Sequence, residues 1–322
     1  MPLVIKIILA CLVSLALLWA YAQHRARLHE ARAEAAFPPQ GQFLQVNGQR
    51  VHALTMGEGP DLVLIHGASG NIRDMTHSLA PRLAKRYRVT VFDRPGLGYT
   101  DRINSTGATI RQQAELLSAA ARQLGLEAPI VMGHSYGGAV ALAWAVHEPQ
   151  YISALIPLAS PSHPWTSPLS TYYKVLSHPI LGPLVIPFLT AFVHDERVER
   201  EVASIFEPNA VPDGYIDHIG AGLTLRRDSL RANALQRANL LSEIQDLHDH
   251  YDHIQIPVEI VHGTADTIVG LSIHAEPLEA TVPSADLTRL PGVAHMPHHV
   301  AQDTVVEAID RAARRAGLNP GN

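Results

Sequence analysis

Short, strand-length apolar runs alternate along most of the chain with longer segments of helical periodicity. The apolar runs fall at residues 61–65, 89–92, 129–132, 152–159 and 258–263, and a strand-length run of alternating apolar and polar residues follows at 285–290. Apolar runs of this length, separated by helical segments, are typical of parallel strands that are covered by helices on both faces. The pattern therefore predicts an α/β fold built on a mostly parallel central sheet.

The longest apolar run lies at the N-terminus, where residues 3–22 carry Lys6 as their only charge. A helix of this length matches the hydrocarbon thickness of a bilayer. A cleaved signal peptide also fits, because Ala20 and Ala22 form an A-x-A cleavage site. We predict a retained membrane anchor, since the apolar run is at the long limit for a signal peptide. The alternative is a secreted or periplasmic protein cleaved at Ala22.

The next segment, residues 23–41, is rich in Ala, Arg and Glu and predicts a polar helical spacer that ends at two consecutive prolines. Arg25, Arg27 and Arg32 follow the predicted span, and Lys6 lies near its start. Long domains cross membranes largely regardless of flanking charge, so these residues leave the side of the membrane open.

About a hundred residues separate the fourth and fifth apolar runs, far more than a crossover between parallel strands needs. We predict four parts: an anchor or signal segment (1–22), the spacer (23–41), a core (42–160 and 251–318) and a helical cap inserted into it (161–250). The first part of the cap has Lys174 as its only charge between residues 168 and 193. Pro179, Pro183 and Pro187 are expected to break it into short pieces, which argues against a second span.

A five-residue motif lies where one apolar run gives way to an apolar helix. Residues 133–137 read GHSYG. A G-x-S-x-G pattern between a strand and a helix is typical of a sharp turn that holds a serine hydroxyl clear of the backbone. The adjacent helix N-terminus favours developing negative charge. We predict that Ser135 is a catalytic nucleophile.

A serine hydroxyl is a weak nucleophile at neutral pH, so it needs a base and a group that orients the base. Asp266 follows the run at 258–263, and His295 follows the run at 285–290. Both side chains therefore belong to the same edge of the predicted sheet. We predict that His295 is the base and that Asp266 orients it.

A turn of small residues, HGASG at residues 66–70, follows the first apolar run of the predicted core. Such a turn lets the backbone come close to a substrate carbonyl. We predict that the N–H groups of Ala68 and Tyr136 form an oxyanion hole, with two fixed donors aimed at the charge of a tetrahedral intermediate. We expect His66 to support this turn and His134 to support the serine turn.

Together these motifs resemble the α/β-hydrolase fold superfamily, in particular its capped members with a serine nucleophile. The resemblance covers roughly residues 42–318 and includes the chain order Ser135, Asp266, His295. Residues 93–101 also look like the D-R-x-G-x-G-x-[ST] loop of that family, which is mainly structural and lies outside the predicted catalytic set. Haloalkane dehalogenases and epoxide hydrolases of this fold use an aspartate nucleophile, so the serine disfavours their chemistry.

Composition excludes several classes of function. The chain has 322 residues, 47% of them hydrophobic, which is enough for one catalytic domain with an insertion. A net charge of -5 leaves no basic surface for nucleic acid. Cys11 is the only cysteine, so an intramolecular disulfide and a cysteine metal cluster are excluded. We expect no cofactor.

Residues 248–253 read HDHYDH and fit H-x-H-x-D-H, the metal-binding signature of the metallo-β-lactamase family. That family carries the motif in a loop after an early strand, whereas here it continues a helical segment. We therefore interpret it as a solvated helix end and expect no metal site. His298 and His299 are interpreted as cap or helix-start residues rather than bases.

The resemblance and the motifs together imply an α/β-hydrolase that cleaves a carboxylic ester. The apolar cap and the anchor favour a hydrophobic acyl or alcohol part, with Leu184 and Phe188 as candidate substrate contacts. A C–C bond hydrolase acting on a vinylogous diketone, or a perhydrolase, would use the same residues. A membrane-tethered binding protein that lost the chemistry is the alternative from another class; it predicts a broken triad, and all three positions are intact.

Overall fold

The computed structural model describes residues 2–320. Residue 1, the first of the predicted anchor segment, lies outside them. Within this range an eight-stranded sheet forms the centre of the protein. Its strands are β1 (Gln42–Val46), β2 (Gln49–Met56), β3 (Asp61–Ile65), β4 (Arg88–Phe92), β5 (Ile130–His134), β6 (Ala154–Leu158), β7 (Val258–Gly263) and β8 (Ala285–Leu290).

The sheet is mixed, with most strands parallel. The strand order is β1-β2-β4-β3-β5-β6-β7-β8. The β1–β2 and β2–β4 pairs are antiparallel, and all the others are parallel. Every residue of β5, β6 and β7 is buried, as expected for strands covered on both faces. The predicted fold class is thereby confirmed.

Helices cover both faces of the sheet and bury a hydrophobic core on each side. The helix after β5, α5 (Tyr136–His147), is buried over almost its whole length, as expected for a helix rich in Ala, Val and Leu. The helices of this part are α2 (Ile72–Thr76), α3 (Leu79–Leu83), α4 (Ile110–Gln123), α5 (Tyr136–His147), α12 (Leu271–Thr281), α13 (Pro297–Val300) and α14 (Gln302–Arg315).

A layer of helices, which we call the cap, lies between β6 and β7 in the chain. Its helices are α6 (Thr171–Ser177), α7 (Leu181–Phe192), α8 (Asp195–Phe206), α9 (Tyr215–Ile219), α10 (Ala221–Thr224) and α11 (Arg227–Leu247). The chain bends by 112° between the axes of α6 and α7. Pro179 lies at this break, as expected, but Pro183 and Pro187 lie inside α7, so they do not break it. Pro183 is tolerated because it occupies the first turn, where an N–H has no intrahelical partner. Pro187 lies further inside the helix, and α7 packs there against α6, α11 and the N-terminal helix α1 (Leu3–Ala36).

The N-terminal helix α1 (Leu3–Ala36) is 34 residues long and continuous. Among the described residues it is the one helix long and apolar enough to cross a membrane, unless α6 and α7 are counted as one broken span. Its first part is exposed, whereas Ala22, Ala26 and Ala33 are buried where α1 packs against α7 and α10. The segment predicted as a spacer is therefore helical, continuous with the apolar run and in contact with the cap.

Candidate active site

Ser135 occupies the turn between β5 and α5 in a strained backbone conformation. Its φ of 52° and ψ of -122° lie where residues with a side chain are rarely found. Its N–H donates to the carbonyl of Leu158 at 2.9 Å. The end of β6 therefore helps to hold the turn.

The two glycines of the motif are required by close contacts of the backbone. A Cβ added to Gly133 would lie 2.1 Å from the carbonyl oxygen of Gly137. A Cβ added to Gly137 would lie 2.3 Å from the carbonyl oxygen of Ile65. Both distances are far shorter than a van der Waals contact. The strands β3 and β5 and the helix α5 can therefore approach this closely only because both residues are glycine.

The structure brings the three predicted catalytic side chains together. His295 Nε2 lies 2.9 Å from the hydroxyl oxygen of Ser135, and His295 Nδ1 lies 2.7 Å from Asp266 Oδ2. Ser135 is partly exposed, whereas His295 and Asp266 are buried. Ser135 and His295 are 160 positions apart in the chain, and the parallel strands bring their loops to one edge of the sheet.

Asp266 is held as an anion by donors that surround its carboxylate. Burial raises its pKa, but hydrogen bonds from His262, His295 and the N–H of Val269 outweigh burial and hold the pKa well below its usual range. The N–H groups of Ile268 and Val269 both donate to Oδ1 at 2.9 Å. The other oxygen, Oδ2, is therefore left to the imidazole of His295 and to His262, which lies 3.4 Å away.

The turn after β3 is held from below by the buried guanidinium of Arg94. Arg94 Nε donates to the carbonyl of His66 at 3.0 Å, and an amino group of Arg94 donates to the carbonyl of Gly67 at 3.1 Å. The N–H of Arg94 donates to Nε2 of His66, while Nδ1 of that ring contacts the Gly67 carbonyl at 2.9 Å. Burial and the charge of Arg94 lower the pKa of His66 to about 4, so the ring is neutral.

These contacts orient the N–H group of Ala68. In a planar trans peptide the C=O and N–H groups point in opposite directions. Because the Gly67 carbonyl points to Arg94, the N–H of Ala68, in the same peptide, points away from it. No hydrogen bond joins the N–H groups of Ala68 and Tyr136 to another residue in the range 2–320. Both donors are available to a ligand.

A buried polar cluster lies beside the site. Asp74 accepts hydrogen bonds from Tyr215 at 2.7 Å and from His299 at 3.0 Å, and His298 lies 3.3 Å away. Asp74, His298 and His299 together offer three potential metal ligands. However, the Nδ1 atoms of both histidines lack a partner among the described residues, whereas metal-bound histidines almost always donate that N–H to an acceptor. A hydrogen-bonded cluster describes these residues better.

His134 connects this cluster to the imidazole at the site. Its ring lies 4.3 Å from that of His298, and its Nε2 donates to the backbone carbonyl of His295 at 2.8 Å. Burial and the neighbouring histidines hold the pKa of His134 well below its usual range, so the ring is neutral and retains one N–H. His134, which lies between Gly133 and Ser135 in the motif, thus helps to fix the backbone of His295.

Other residues singled out in the sequence lie elsewhere. Leu184 is exposed on α7, and Phe188 is half-buried there with its ring 6.3 Å from that of Phe192. Their contact with a substrate stays a prediction. The segment His248–His253 forms a 3-10 turn after α11 with most of its side chains exposed. His298 lies at the start of the short helix α13, as expected.

Sequence reasoning missed His262 and the role of Arg94. His262 lies in the buried strand β7, and a histidine near the end of a strand that leads to the acid was the available signal. Arg94 belongs to the loop assigned to structure, and its support of the Ala68 turn depends on contacts 27 and 28 positions apart.

Comparison with known proteins agrees with this geometry. Residues 60–177 match the family model of the alpha/beta hydrolase fold. A solved alpha/beta hydrolase fold protein from Burkholderia ambifaria superimposes with a TM-score of 0.69, over 84% of this chain and 96% of that one, at 24% identity. The chain has the α/β-hydrolase fold.

Two further similar proteins are informative. The pimeloyl-[acyl-carrier protein] methyl ester esterase of Vibrio vulnificus is 28% identical over 253 residues, which are 77% of this chain and 91% of that protein. The structure of a membrane phospholipase A has a TM-score of 0.62 and 17% identity, and the match covers 96% of this chain and 98% of that one. The second likeness concerns the fold alone.

Proposed function

We propose that this protein is a membrane-anchored serine hydrolase that cleaves carboxylic esters through an acyl-enzyme. The observation that carries the proposal is the continuous line of hydrogen bonds from Ser135 through His295 to Asp266. Beside it lie the backbone N–H groups of Ala68 and Tyr136, which have no hydrogen-bond partner among residues 2–320. A nucleophile, a base, an orienting carboxylate and oxyanion donors are the parts that acyl transfer needs.

In the first half of the reaction, the hydroxyl oxygen of Ser135 attacks the ester carbonyl carbon. Nε2 of His295 accepts the hydroxyl proton, and the electron pair of the carbonyl bond moves to the oxygen, which the N–H groups of Ala68 and Tyr136 stabilise. The intermediate collapses, the bond to the alcohol oxygen breaks, and His295 returns the proton to that oxygen. The anionic Asp266 holds the imidazole in the tautomer with a proton on Nδ1.

In the second half, water takes the place of the serine hydroxyl. His295 accepts a proton from the water molecule, whose oxygen attacks the acyl carbon, and the oxyanion forms between the same two N–H groups. Collapse breaks the bond to Ser135, which regains its proton from His295. The products are a carboxylic acid and free enzyme, and the residues already named suffice for each step.

The ester class is supported by the relatives and by the surface around the cap. The Vibrio vulnificus relative is named as a methyl ester esterase. On and beside α7 the side chains of Ile180, Leu181, Leu184 and Phe192 are exposed. Phe192 lies 6.3 Å from Tyr21 of α1, so these apolar residues are continuous with the apolar half of α1. A lipophilic substrate that partitions into the bilayer would reach this surface first.

A retained anchor is supported by the course of α1. The proposed cleavage site at Ala20 to Ala22 lies in the middle of a helix without a break, and Ala22 is fully buried against the cap. Glu30, further along the same helix, forms a bidentate ion pair with Arg227 of α11. Cleavage at Ala22 would cut inside this packed region.

The test is covalent labelling by a fluorophosphonate together with hydrolysis of nitrophenyl esters of increasing chain length. We expect the full-length protein in detergent micelles to be labelled and to prefer long chains, and Ser135→Ala to lose both labelling and turnover while keeping its unfolding temperature. Labelling of Ser135→Ala, or a folded wild type that is not labelled, would contradict the assignment. A vinylogous diketone included in the panel distinguishes ester cleavage from C–C bond cleavage.

A further inference from the structure

Ser69 follows the proposed oxyanion donor Ala68 and has an unusual backbone conformation. Its φ is 56°, which residues with a side chain rarely adopt, and it is neither glycine nor asparagine. Such a conformation persists only when the surroundings hold it. The contacts that hold Ser69 come from the cap and not from the core.

Asn233 of α11 binds Ser69 at two points. The N–H of Ser69 donates to Asn233 Oδ1 at 2.9 Å, and Asn233 Nδ2 donates to the hydroxyl oxygen of Ser69 at 2.9 Å. Asn233 is 4% exposed, so these bonds compete little with water. The two residues are 164 positions apart in the chain.

Thr224 of α10 supplies the third contact. Its hydroxyl donates to the carbonyl oxygen of Ser69 at 2.6 Å. The N–H, the carbonyl and the hydroxyl of Ser69 are therefore all bonded to cap residues. We call this arrangement of Asn233 and Thr224 around Ser69 the cap clamp.

The N–H of Ala68 shares a peptide plane with the Gly67 carbonyl, and the residue after Ala68 is anchored separately. On one side, Arg94 of the core holds the carbonyl of Gly67. On the other side, the cap clamp holds Ser69. The hydrogen bonds to Arg94 hold the carbonyl end of this rigid plane, and the cap clamp limits the dihedral angles on the other side of Ala68, so both anchors restrict the tilt of the plane and the direction of the N–H. Releasing the clamp would let Ser69 leave its strained conformation and turn the donor away.

We propose that Asn233 and Thr224 are positioning residues that complete the oxyanion hole from the cap, an inference that rests on the proposed serine hydrolase function. The cap thereby contributes to the chemical step in addition to covering the site. α11 begins at Arg227, which Glu30 of α1 holds through bonds to its side chain and its backbone N–H. The N-terminal helix therefore helps to set the position of Asn233 over the core.

The test uses four variants of the full-length protein in detergent micelles. Asn233→Leu removes both polar contacts at similar volume, and Asn239→Leu makes the same change elsewhere on α11, where the side chain contacts Thr106 at 3.3 Å. Thr224→Val removes the hydroxyl donor, and Thr224→Ser retains it. Unfolding temperatures show which variants are folded, and the two Thr224 variants decide the question alone should Asn233→Leu fail to fold.

Three measurements separate positioning of the oxyanion donor from general damage. The first is kcat and KM for a nitrophenyl ester. The second is affinity for a trifluoromethyl ketone: Ser135 bonds to its carbonyl carbon, the hydroxyl proton passes to His295, and the carbonyl electron pair forms the oxyanion. The third is affinity for a methyl ether of equal chain length, which has no carbonyl and forms no oxyanion.

We expect Asn233→Leu and Thr224→Val to lower kcat by roughly 10-fold to 100-fold. Complete loss of an oxyanion donor lowers kcat further than this, and a donor that is displaced but still present should have a smaller effect than its complete loss. Ketone affinity should fall in parallel, whereas KM and ether affinity should change less than about twofold. Thr224→Ser and Asn239→Leu should resemble the wild type.

Two results would overturn the inference while the proposed function stands. One is a labelled, active enzyme in which Asn233→Leu and Thr224→Val keep kcat and ketone affinity. The other is an equal loss of ketone and ether affinity, which would indicate damage to substrate binding. A wild type that is folded but is neither labelled by fluorophosphonate nor active would instead remove the proposed function itself.

Discussion

At the scale of single residues, backbone strain collects at one edge of the sheet. Among the described residues with a side chain, positive φ angles occur at Asn47, Ser69, Ser135 and Ala159. Asn47 belongs to the β1–β2 turn, whereas the other three follow β3, β5 and β6 at the edge that carries His295. Strain of this kind costs about 1–3 kcal/mol per residue and is typical of sites that hold reacting groups in fixed positions.

Asp266 should be indispensable to turnover. Asp266→Asn preserves the shape of the side chain but favours the wrong imidazole tautomer, so we expect kcat to fall by roughly 10⁴-fold. Asp101→Asn is the control, because that carboxylate pairs with Arg50 at the surface. The measurement is ester turnover at saturating substrate. Near-full activity of Asp266→Asn together with loss in Asp101→Asn would mean that the orienting residue is misassigned.

Glu243 should make stability depend on pH. Burial raises its pKa from 4.5 to about 7, against the hydrogen bond that it accepts from the N–H of Ile110 at 2.8 Å. In the unfolded chain the carboxyl ionises near its ordinary pKa, so ionisation favours unfolding between the two values. The free energy of unfolding should therefore fall as pH rises from about 4.5 to 7, by roughly 2–3 kcal/mol.

Glu243→Gln should remove this dependence while keeping an acceptor for Ile110. We expect the variant to be more stable than the wild type at pH 8 and the difference to shrink towards pH 5. Thermal unfolding at the two pH values measures it. A difference between the proteins that is the same at both values would show that the carboxyl does not titrate in this range.

At the scale of elements, each of the six strands predicted from the sequence is present in the sheet. The bounds of β3, β7 and β8 coincide with the predicted runs. β3 and β7 lie inside the sheet and read as mainly apolar stretches, whereas β8 lies at its edge and reads as an alternation of apolar and polar residues. The hairpin of β1 and β2 was not predicted strand by strand. Its two-residue turn, Asn47 and Gly48, both with positive φ, was the available signal.

The site divides in the same way. The strands that precede Ser135, Asp266 and His295 could be recognised in the sequence, and the structure brings these three side chains together. The contacts of Asn233 with Ser69 could not be predicted, because a polar residue on a long helix has many possible partners until the cap is placed over the core. The same holds for the packing of α7, where tertiary contacts keep Pro187 inside a helix.

The ion pair between α1 and α11 should contribute measurably to stability. Glu30 binds the guanidinium of Arg227 at 2.7 and 2.8 Å, and its hydrogen bonds from Arg227 outweigh burial and hold its pKa below the usual value. Glu30→Gln should lower the free energy of unfolding by about 1.5–3 kcal/mol, as for other hydrogen bonds to charged groups. Thermal unfolding in detergent micelles measures the change.

A matched control lies one turn further along the same helix. Glu34 pairs with Arg226 at 2.9 Å, but its side chain is 49% exposed. Glu34→Gln should therefore cost less than about 1 kcal/mol. Equal effects of the two substitutions would show that the docking of α1 does not depend on the buried pair.

At the scale of the whole molecule, the N-terminal helix, the cap and the site form one connected path. α1 is apolar and exposed up to Tyr21, and it then packs against α7 and α10. α11 starts at the residue that α1 holds and carries the side chain that holds Ser69. A helix in the membrane would thus place the apolar surface of α7 close to the bilayer and the catalytic edge of the core beneath the cap.

This arrangement predicts two separable contributions to membrane binding. A protein that begins at Tyr21 loses the exposed apolar half of α1 but keeps the half that packs on the cap, so it should fold and lose spanning attachment. It should still bind liposomes weakly through α7, and Leu184→Asp or Phe188→Asp in it should abolish that binding. Ile273→Asp, at a residue that is 45% exposed on α12, is the control and should bind as before. Should the shortened enzyme ignore liposomes and prefer short, water-soluble esters, the apolar surface of α7 would serve only to dock α1. The lipophilic substrate would then be abandoned, whereas the serine chemistry at Ser135 would be unaffected.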